Sequence, residues 1–299
     1  MAVLGLGLAA LGRPGYMTLG HGGDVADASV EGLQGQTHRV LDAAYAGGVR
    51  HVDVARSYGR GEAFLRAWLE ARGHRDVFIS SKWGYRYTAG WKQLAAVHEV
   101  KDLSAAHLDA QVAESRAALG PWLKLYQAHS VTLESGMLTD RDVLRRLDAL
   151  RAGGLAMGLS VTGAEQPKTI RAALELGVFD WVQATWNVLE PSAEDALAAA
   201  KARGLRVIVK EALANGRLTS RGDVPDLLRA AREADTTADA LALAAALRQP
   251  WADVVLSGAS TVEQLQSNLA ARAVTAPELG AFREAPEAYW SRRATLPWT

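Results

Sequence analysis

Four polar residues, Asp53, Tyr58, Lys82 and His129, each lie near the end of a short apolar run, and together they could perform acid-catalysed carbonyl chemistry. A lysine at the end of a buried strand requires an anionic partner, which Asp53 can supply. We expect the Lys82 cation to lower the pKa of the Tyr58 phenol from its usual value of about 10, which would make it a proton donor near neutral pH. His129 can then donate to the same carbonyl oxygen.

The elements that must position these residues alternate along the chain. Eight apolar or β-branched runs predict strands at residues 3–8, 51–55, 77–81, 123–128, 155–161, 179–185, 205–210 and 252–258. Amphipathic stretches with helical spacing lie between them, among others at 37–48, 108–120, 142–154 and 169–177. Strands that alternate with helices through short links favour parallel pairing and right-handed crossovers, so the pattern predicts a (β/α)₈ TIM barrel. We interpret residues 1–299 as a single domain.

Three segments are longer than a connection requires: residues 83–103, residues 211–235 and the tail from about residue 273. In a barrel, the loops that follow the strands lie on one rim, where active sites are built. We therefore expect the two loops to enclose a substrate, with the tail joining them over the same rim.

Composition excludes several classes of partner. The formal net charge is zero, with 33 Lys and Arg against 33 Asp and Glu, which gives no electrostatic reason to expect nucleic acid or an anionic membrane.

The apolar start MAVLGLGLAALG has no basic residue before it and is too short to span a bilayer, so it is interpreted as a strand. Cysteine is absent, which suits a reducing cytoplasm. We expect no metal and, by default, a monomer.

The motifs around the four polar residues resemble those of the aldo-keto reductase superfamily over most of the chain. DVARSYG resembles the family's D-T-A-x-x-Y-G, SSK its strand-end lysine segment and LYQAH its D-L-Y-x-x-H. This resemblance implies that Tyr58 is the general acid, that Lys82 with Asp53 tunes it, and that His129 orients the carbonyl.

Four further segments extend the resemblance to a nicotinamide cofactor. GLSVTG and VQATWN are similar to motifs that hold the nicotinamide carboxamide, KEALANGRLT to a segment over the pyrophosphate, and LSGASTVEQLQSNLAA to the adenosine site. The cofactor residues that the resemblance implies are Ser160, Gln183, Lys210, Leu213, Gly216, Leu218, Gly258, Ser260, Gln264 and Asn268. Lys210 stands where many members have an aromatic residue stacked on the nicotinamide, so we expect its aliphatic stem to pack along the ring.

The adenosine segment also predicts a phosphate site from its own residues. Ser260 followed by Glu263 is a capping-box pattern, and the free N–H groups of a helix N-terminus suit an anion. The resemblance favours NADP(H), with Ser260 and Gln264 on the 2′-phosphate and Asn268 on the adenine, and a cation could come from the loop with Arg217 and Arg221. Because no guanidinium stands in the segment itself, we predict NADP(H) over NAD(H) by only about tenfold.

Aromatic residues in the predicted loops and tail suit a sugar or a hydrophobic carbonyl substrate, and we select Trp83, Trp186 and Trp298 as substrate contacts. The predicted activity is reduction of an aldehyde or ketone, or the reverse oxidation of an alcohol. Two alternatives stay open. One is a (β/α)₈ lyase or aldolase with Lys82 or Lys210 as a Schiff-base nucleophile, and the other is a cofactor-binding regulatory subunit with little activity.

Overall fold

Eight parallel strands close into a barrel in a computed structural model that describes residues 2–275 and 280–299. The barrel strands are β1 (Val3–Gly7), β2 (His51–Asp53), β3 (Phe78–Trp83), β6 (Leu123–Val131), β7 (Ala156–Val161), β8 (Trp181–Thr185), β9 (Arg206–Lys210) and β10 (Val254–Ser257). Each pairs in parallel with its neighbours in chain order, and β1 pairs with both β2 and β10 to close the ring. The predicted (β/α)₈ barrel is confirmed. The assignment of residues 1–299 to one domain remains an interpretation.

Helices separate consecutive barrel strands. The described helices are α1 (His21–Asp24), α2 (Val30–Ala46), α3 (Gly61–Arg72), α4 (Ala105–Leu119), α5 (Arg141–Ala152), α6 (Gln166–Leu174), α7 (Glu194–Ala202), α8 (Pro225–Glu233), α9 (Ala238–Leu247), α10 (Val262–Ala270) and α11 (Pro286–Ala294). Local capping fixes where several begin: Ser29 accepts from the Gly32 N–H before α2, and Asp140 accepts from the Asp142 and Val143 N–H groups before α5. None of the helices described is long and apolar enough to cross a membrane.

Alternation along the strands separates an apolar layer from a polar one inside the barrel. A buried cluster of Leu125, Trp181, Ile208, Val254 and Leu256 packs together, with Phe78 against it. Residues two positions further along a strand point to the same face. Gln127 lies two positions after Leu125, and Gln183 lies two positions after Trp181. Each of these polar side chains therefore lies inside the barrel, one layer nearer the carboxyl ends of the strands. The apolar layer therefore forms the floor beneath the polar groups.

The segments predicted as long loops contain structure of their own. Residues 83–103 hold an antiparallel hairpin of β4 (Tyr85–Tyr87) and β5 (Glu99–Lys101), the predicted loop 211–235 contains α8, and the tail contains α11. Three-residue strands are too short to give a periodic signal, which explains why the hairpin was missed. The sequence analysis also did not identify the connection from β1 to α2 as a long segment on the rim. This connection runs through residues 8–29 and includes α1.

Candidate active site

The carboxylate of Asp53, at the end of β2, is the centre of a buried polar network. It forms an ion pair with the Lys82 ammonium and accepts a hydrogen bond from the Ser80 hydroxyl at 2.7 Å. The amides of Gln127 and Gln183 donate to the same carboxylate oxygen as Ser80, at 3.1 and 3.2 Å. The donors come from three strands beyond β2, so both carboxylate oxygens of Asp53 have hydrogen-bond partners although the side chain is buried.

Lys82 is held by two acceptors and is almost fully buried, with 1% of its side chain exposed. Its ammonium contacts Asp53 and donates to the Val54 carbonyl at 3.0 Å. Burial lowers the pKa of Lys82, and the ion pair with Asp53 opposes that shift. The structure thus brings Asp53 and Lys82 together as the sequence predicted.

Tyr58 lies in a tight turn between β2 and α3, against the segment that follows β1. The Tyr58 N–H donates to the Ala55 carbonyl at 3.0 Å, and the Arg60 N–H donates to the Gly12 carbonyl at 2.8 Å. A Cβ atom at Gly12 would lie 2.2 Å from the Tyr58 carbonyl oxygen, so this approach requires glycine. The position of the tyrosine therefore depends on the segment after β1 as well as on its own turn.

The Tyr58 ring stands among cations and an imidazole. The His129 ring meets it edge-on at 5.6 Å between centroids, the Lys82 nitrogen lies 5.0 Å from its centroid, and the Arg13 guanidinium carbon lies 5.2 Å from it. Burial raises the pKa of the Tyr58 phenol well above its usual value, with Tyr16 and Asp53 adding to the rise and Arg13 opposing it. The expectation of a lowered Tyr58 pKa is wrong, because burial outweighs the effect of the nearby cations.

His129 completes the group from β6, facing the same space as Tyr58. Burial lowers the pKa of His129 well below its usual value, and the charges of Lys82 and Arg13 lower it further. The ring is therefore neutral at physiological pH. A neutral imidazole carries one N–H, which can donate to a carbonyl oxygen while the ring adds no charge.

One cleft of about 820 Å³ joins this cluster to the N-terminus of α10. The predicted residues that line it are Asp53, Tyr58, His129, Gln183, Lys210, Leu213, Gly216, Gly258, Ser260, Gln264, Asn268 and Trp298. A cleft of this size, with polar groups at both ends, can hold an elongated organic molecule. Lys82, Ser160 and Leu218 do not line it. Lys82 and Leu218 are buried behind its wall, and the Ser160 hydroxyl accepts from the Ser130 N–H at 2.9 Å.

Lys210 enters the cleft from the end of β9 as part of a charged cluster. Its ammonium donates to the Thr185 hydroxyl at 2.7 Å and lies 3.8 Å from the Glu211 carboxylate. Burial lowers the pKa of Lys210 to about 8, an effect that Glu211 opposes and Arg293 reinforces. Burial would raise the pKa of Glu211, but Arg293 and Lys210 bring it down to about 2. The position predicted to lie beside a nicotinamide ring is therefore cationic up to about pH 8.

At the other end of the cleft, α10 begins one residue later than predicted. Thr261 is the cap, since its hydroxyl accepts from the Gln264 N–H at 3.2 Å, and the predicted capping box of Ser260 with Glu263 is wrong. The Ser260 N–H instead donates to the Gln264 side chain at 2.9 Å. Asn268, one turn further along, contacts the Ser257 hydroxyl at 2.7 Å. Ser260, Gln264 and Asn268 nevertheless lie together, as predicted.

The two arginines of the loop after β9 have different surroundings. Arg217 is buried and forms ion pairs with Asp223 and Glu284, so it is already neutralised. Arg221 lines the cleft and forms a two-pronged ion pair with Asp24, which lies at the end of α1. Of these two arginines, Arg221 is the one that reaches the predicted adenosine end of the cleft, and its charge is paired with the Asp24 carboxylate.

The three predicted substrate tryptophans differ in position. Trp83 ends β3 and Trp186 follows β8, and both are buried in the core, so their expected exposure in loops is wrong. Apolar packing between the barrel and its helices accounts for both. Trp298 lines the cleft, stacks on His98 at 4.1 Å between centroids, and lies 4.7 Å from the Arg13 guanidinium. A direct substrate contact by Trp83 or Trp186 stays a prediction, which their burial does not favour.

Sequence reasoning missed the cleft residues in the connection between β1 and α2, three of which have ionisable side chains. Arg13, Tyr16 and Asp24 all line the cleft. Arg13 is 2% exposed, pairs with Glu99 at 2.8 Å and has a buried Nε with no partner. This connection has no hydrophobic period, so a pattern search had no signal there. Its length between two predicted elements was the available indication.

Comparison with known proteins identifies one family for this chain. The model of the aldo/keto reductase family matches residues 4–284. No curated protein matches the chain.

Solved structures with the same barrel include three of particular interest. An aldo-keto reductase from Bacillus halodurans in its holo form is 21% identical, with a TM-score of 0.71, over 98% of this chain and 92% of that one. A putative aldo-keto reductase from Pseudomonas aeruginosa is 26% identical, with a TM-score of 0.66, over 90% and 89%. A glycerol dehydrogenase from Gluconobacter oxydans is 18% identical, with a TM-score of 0.73, over 98% and 93%.

Proposed function

The chain belongs to the aldo/keto reductase family, and from that premise we propose that it reduces an aldehyde or ketone to an alcohol, or catalyses the reverse oxidation, with Tyr58 as general acid or base. The observation that carries the proposal is the position of Tyr58 and His129 on one wall of the cleft, in front of the buried pair of Lys82 and Asp53. Such an arrangement offers two hydrogen-bond donors to a single carbonyl oxygen.

The protonation states support these roles. Because burial raises the pKa of Tyr58, its phenol carries its proton at neutral pH and can give that proton to the oxygen of a bound carbonyl. His129 is neutral and can donate its single N–H to the same oxygen, which orients the substrate. Lys82 and Arg13 lie 5.0 and 5.2 Å from the centroid of the Tyr58 ring, and the charge of Arg13 opposes the rise in the Tyr58 pKa and so stabilises the phenolate that remains.

A nicotinamide cofactor, when bound, supplies the hydride that reduces the carbonyl carbon. The cleft suits such a molecule because its 820 Å³ run from the Tyr58 wall to the start of α10. We propose that Gln183 and Lys210 lie beside the nicotinamide, that Leu213 and Gly216 flank the pyrophosphate, and that the Ser260 end receives the adenosine. Ser160 and Leu218 would then support this wall from behind. The sequence favours NADP(H), but Asp24 opposes that choice.

The substrate would be a small carbonyl compound or a sugar. Tyr16, Tyr85 and Trp298 line the cleft near Tyr58, and aromatic faces suit both the carbon face of a sugar and an apolar carbonyl. The glycerol dehydrogenase among the structural neighbours is compatible with a polyol as the alcohol. The cysteine-free composition favours the cytoplasm as the compartment.

The Schiff-base alternative makes a different demand on the lysines. A nucleophilic lysine must present a free amine, whereas Lys82 is bound by Asp53 and the Val54 carbonyl. Lys210 has a lowered pKa but donates to Thr185. Treatment with borohydride in the presence of a carbonyl substrate should give no covalent adduct, and a trapped adduct would favour the lyase.

Replacement of Tyr58 by phenylalanine tests the proposal. We expect Tyr58→Phe to bind NADH or NADPH with nearly unchanged affinity, as measured by nicotinamide fluorescence. Its turnover should fall by about 100-fold or more. Tyr45→Phe, on α2 outside the cleft, is the matched control and should keep its turnover. Activity would first be measured with a panel of aldehydes, ketones and sugars. Wild-type turnover in Tyr58→Phe, or no cofactor binding by the wild-type protein, would refute the proposal.

A further inference from the structure

The carboxylate of Asp24 occupies the position where the sequence predicted a 2′-phosphate. Arg221 donates to its two oxygens at 2.6 and 2.7 Å, and the Gln264 amide donates to it at 2.8 Å. The Ser260 hydroxyl lies 3.4 Å from one of the same oxygens. Ser260, Gln264 and Arg221, three of the four residues expected to contact a phosphate, therefore already share an internal anion.

The position of Asp24 is fixed by the surrounding structure. Only 7% of its side chain is exposed, although it belongs to a short helix on the rim. The Gln36 amide on α2 donates to the backbone carbonyls of both Asp24 and Ser260, at 2.9 and 2.7 Å. These bonds join the segment after β1 to the segment after β10 and hold the backbone of Asp24 beside that of Ser260.

The charge of the site follows from these contacts. Burial raises the pKa of Asp24, but its hydrogen bonds from Arg221 and Gln264 bring the pKa below the usual value, so the side chain is an anion at neutral pH. The Arg221 cation is balanced by that anion. A phosphate dianion placed here would therefore meet the ion pair of Arg221 with Asp24, whose charges cancel, in place of a free guanidinium.

We propose that Asp24 is a specificity-determining residue that makes the protein prefer NAD(H) over NADP(H), an inference that rests on the proposed function. A ribose 2′-hydroxyl can donate to the Asp24 carboxylate, whereas a 2′-phosphate is repelled by it. This reverses the preference that the adenosine segment alone predicts. Arg221 in this arrangement orients Asp24 and is not available to the cofactor.

A purely structural role for the same contacts predicts a different result. The ion pair of Asp24 with Arg221 also ties the connection after β1 to the loop after β9. If it served only to hold that loop, its removal would change the affinity for both cofactors by the same factor. A specificity role instead changes the ratio of the two affinities, and that ratio is the quantity to measure.

The experiment compares NADH and NADPH dissociation constants, by nicotinamide fluorescence, in the wild-type protein, Asp24→Asn and Asp27→Asn. We expect the wild-type protein to bind NADH about tenfold or more tightly than NADPH, as adjacent like charges disfavour the phosphate. Asp24→Asn should move the ratio toward NADPH by about tenfold or more, because it frees Arg221 and keeps the side-chain shape. Asp27→Asn removes an equal charge from the same segment outside the cleft and should leave the ratio unchanged.

Two further variants keep the test decisive. Asp24→Ser should shift the ratio in the same direction if Asp24→Asn folds poorly, which circular dichroism would reveal. Addition of Arg221→Met to Asp24→Asn should cancel the gain in NADPH affinity, since the freed guanidinium is the group that binds the phosphate. Persistence of the gain without Arg221 would contradict this account of the site.

The possible failures are distinguishable. Tighter binding of NADPH by the wild-type protein, or equal changes in both affinities in Asp24→Asn, would overturn the inference and leave the proposed function intact. If the wild-type protein bound neither cofactor, the proposed function would fail and this inference with it.

Discussion

Replacement of Lys82 by methionine should destabilise the barrel, because it leaves the Asp53 carboxylate as a buried charge without a counter-ion. Opposite unit charges near contact attract by about 4 kcal/mol at an effective dielectric constant of ~20, and a stranded partner of a buried pair costs about 3–5 kcal/mol. Asp53 would keep its hydrogen bonds from Ser80, Gln127 and Gln183. We therefore expect a loss at the lower end, about 3 kcal/mol in the free energy of unfolding.

The loss can be measured by urea unfolding, followed by circular dichroism and tryptophan fluorescence, and by thermal denaturation. A change of about 3 kcal/mol should lower the melting temperature by roughly 5 °C in a domain of 299 residues. The matched control is Lys168→Met, which breaks an ion pair with Glu165 whose two side chains are 70% and 50% exposed. That pair is screened by water, so no measurable change is expected.

The double variant Asp53→Asn with Lys82→Met separates the ion pair from the packing of the two side chains. It removes both charges and keeps a hydrogen-bonding group at residue 53, so its loss should be smaller than the sum of the two single losses. Additive losses, or a Lys82→Met protein as stable as the wild type, would refute the view that the two charges stabilise each other in the barrel.

Two other predictions follow from the site's surroundings. Burial lowers the pKa of His51 from 6.5 to about 4, so its contribution to stability is complete above pH 6.5 and is lost as the pH falls toward 4. Unfolding measurements should therefore show wild-type stability falling by about 2 kcal/mol more than that of His51→Gln between pH 7 and pH 5, and equal losses would contradict the assignment. Gly12→Ala should lower turnover by about tenfold or more, because the added Cβ would displace the turn that carries Tyr58. The control Gly23→Ala should have no effect on turnover, since no atom lies within 4 Å of the added Cβ. Equal turnover in the two variants would contradict this prediction.

The strand order and the four polar residues could be predicted from the sequence because both depend on local pattern. The eight predicted runs match the eight barrel strands to within a few residues at each end. In a parallel barrel, strand ends share one rim, so polar residues at strand ends converge without further information. It was therefore predictable that Asp53, Lys82 and His129 are neighbours. Tyr58 could be placed near them because it lies only five residues after Asp53 in the chain.

Only the tertiary structure decided what surrounds those residues. The contacts of Asp24 with Arg221 and Gln264 join positions 197 and 240 residues apart, through segments that have no periodic pattern. The burial of Tyr58 and the approach of Arg13 to its ring likewise depend on how the connection after β1 packs against the turn after β2. Local sequence determines the periodicity of each element and the chemical type of each side chain. The closed barrel decides which distant groups come into contact. Those contacts determine the direction of each pKa shift and whether a cation is paired with an anion.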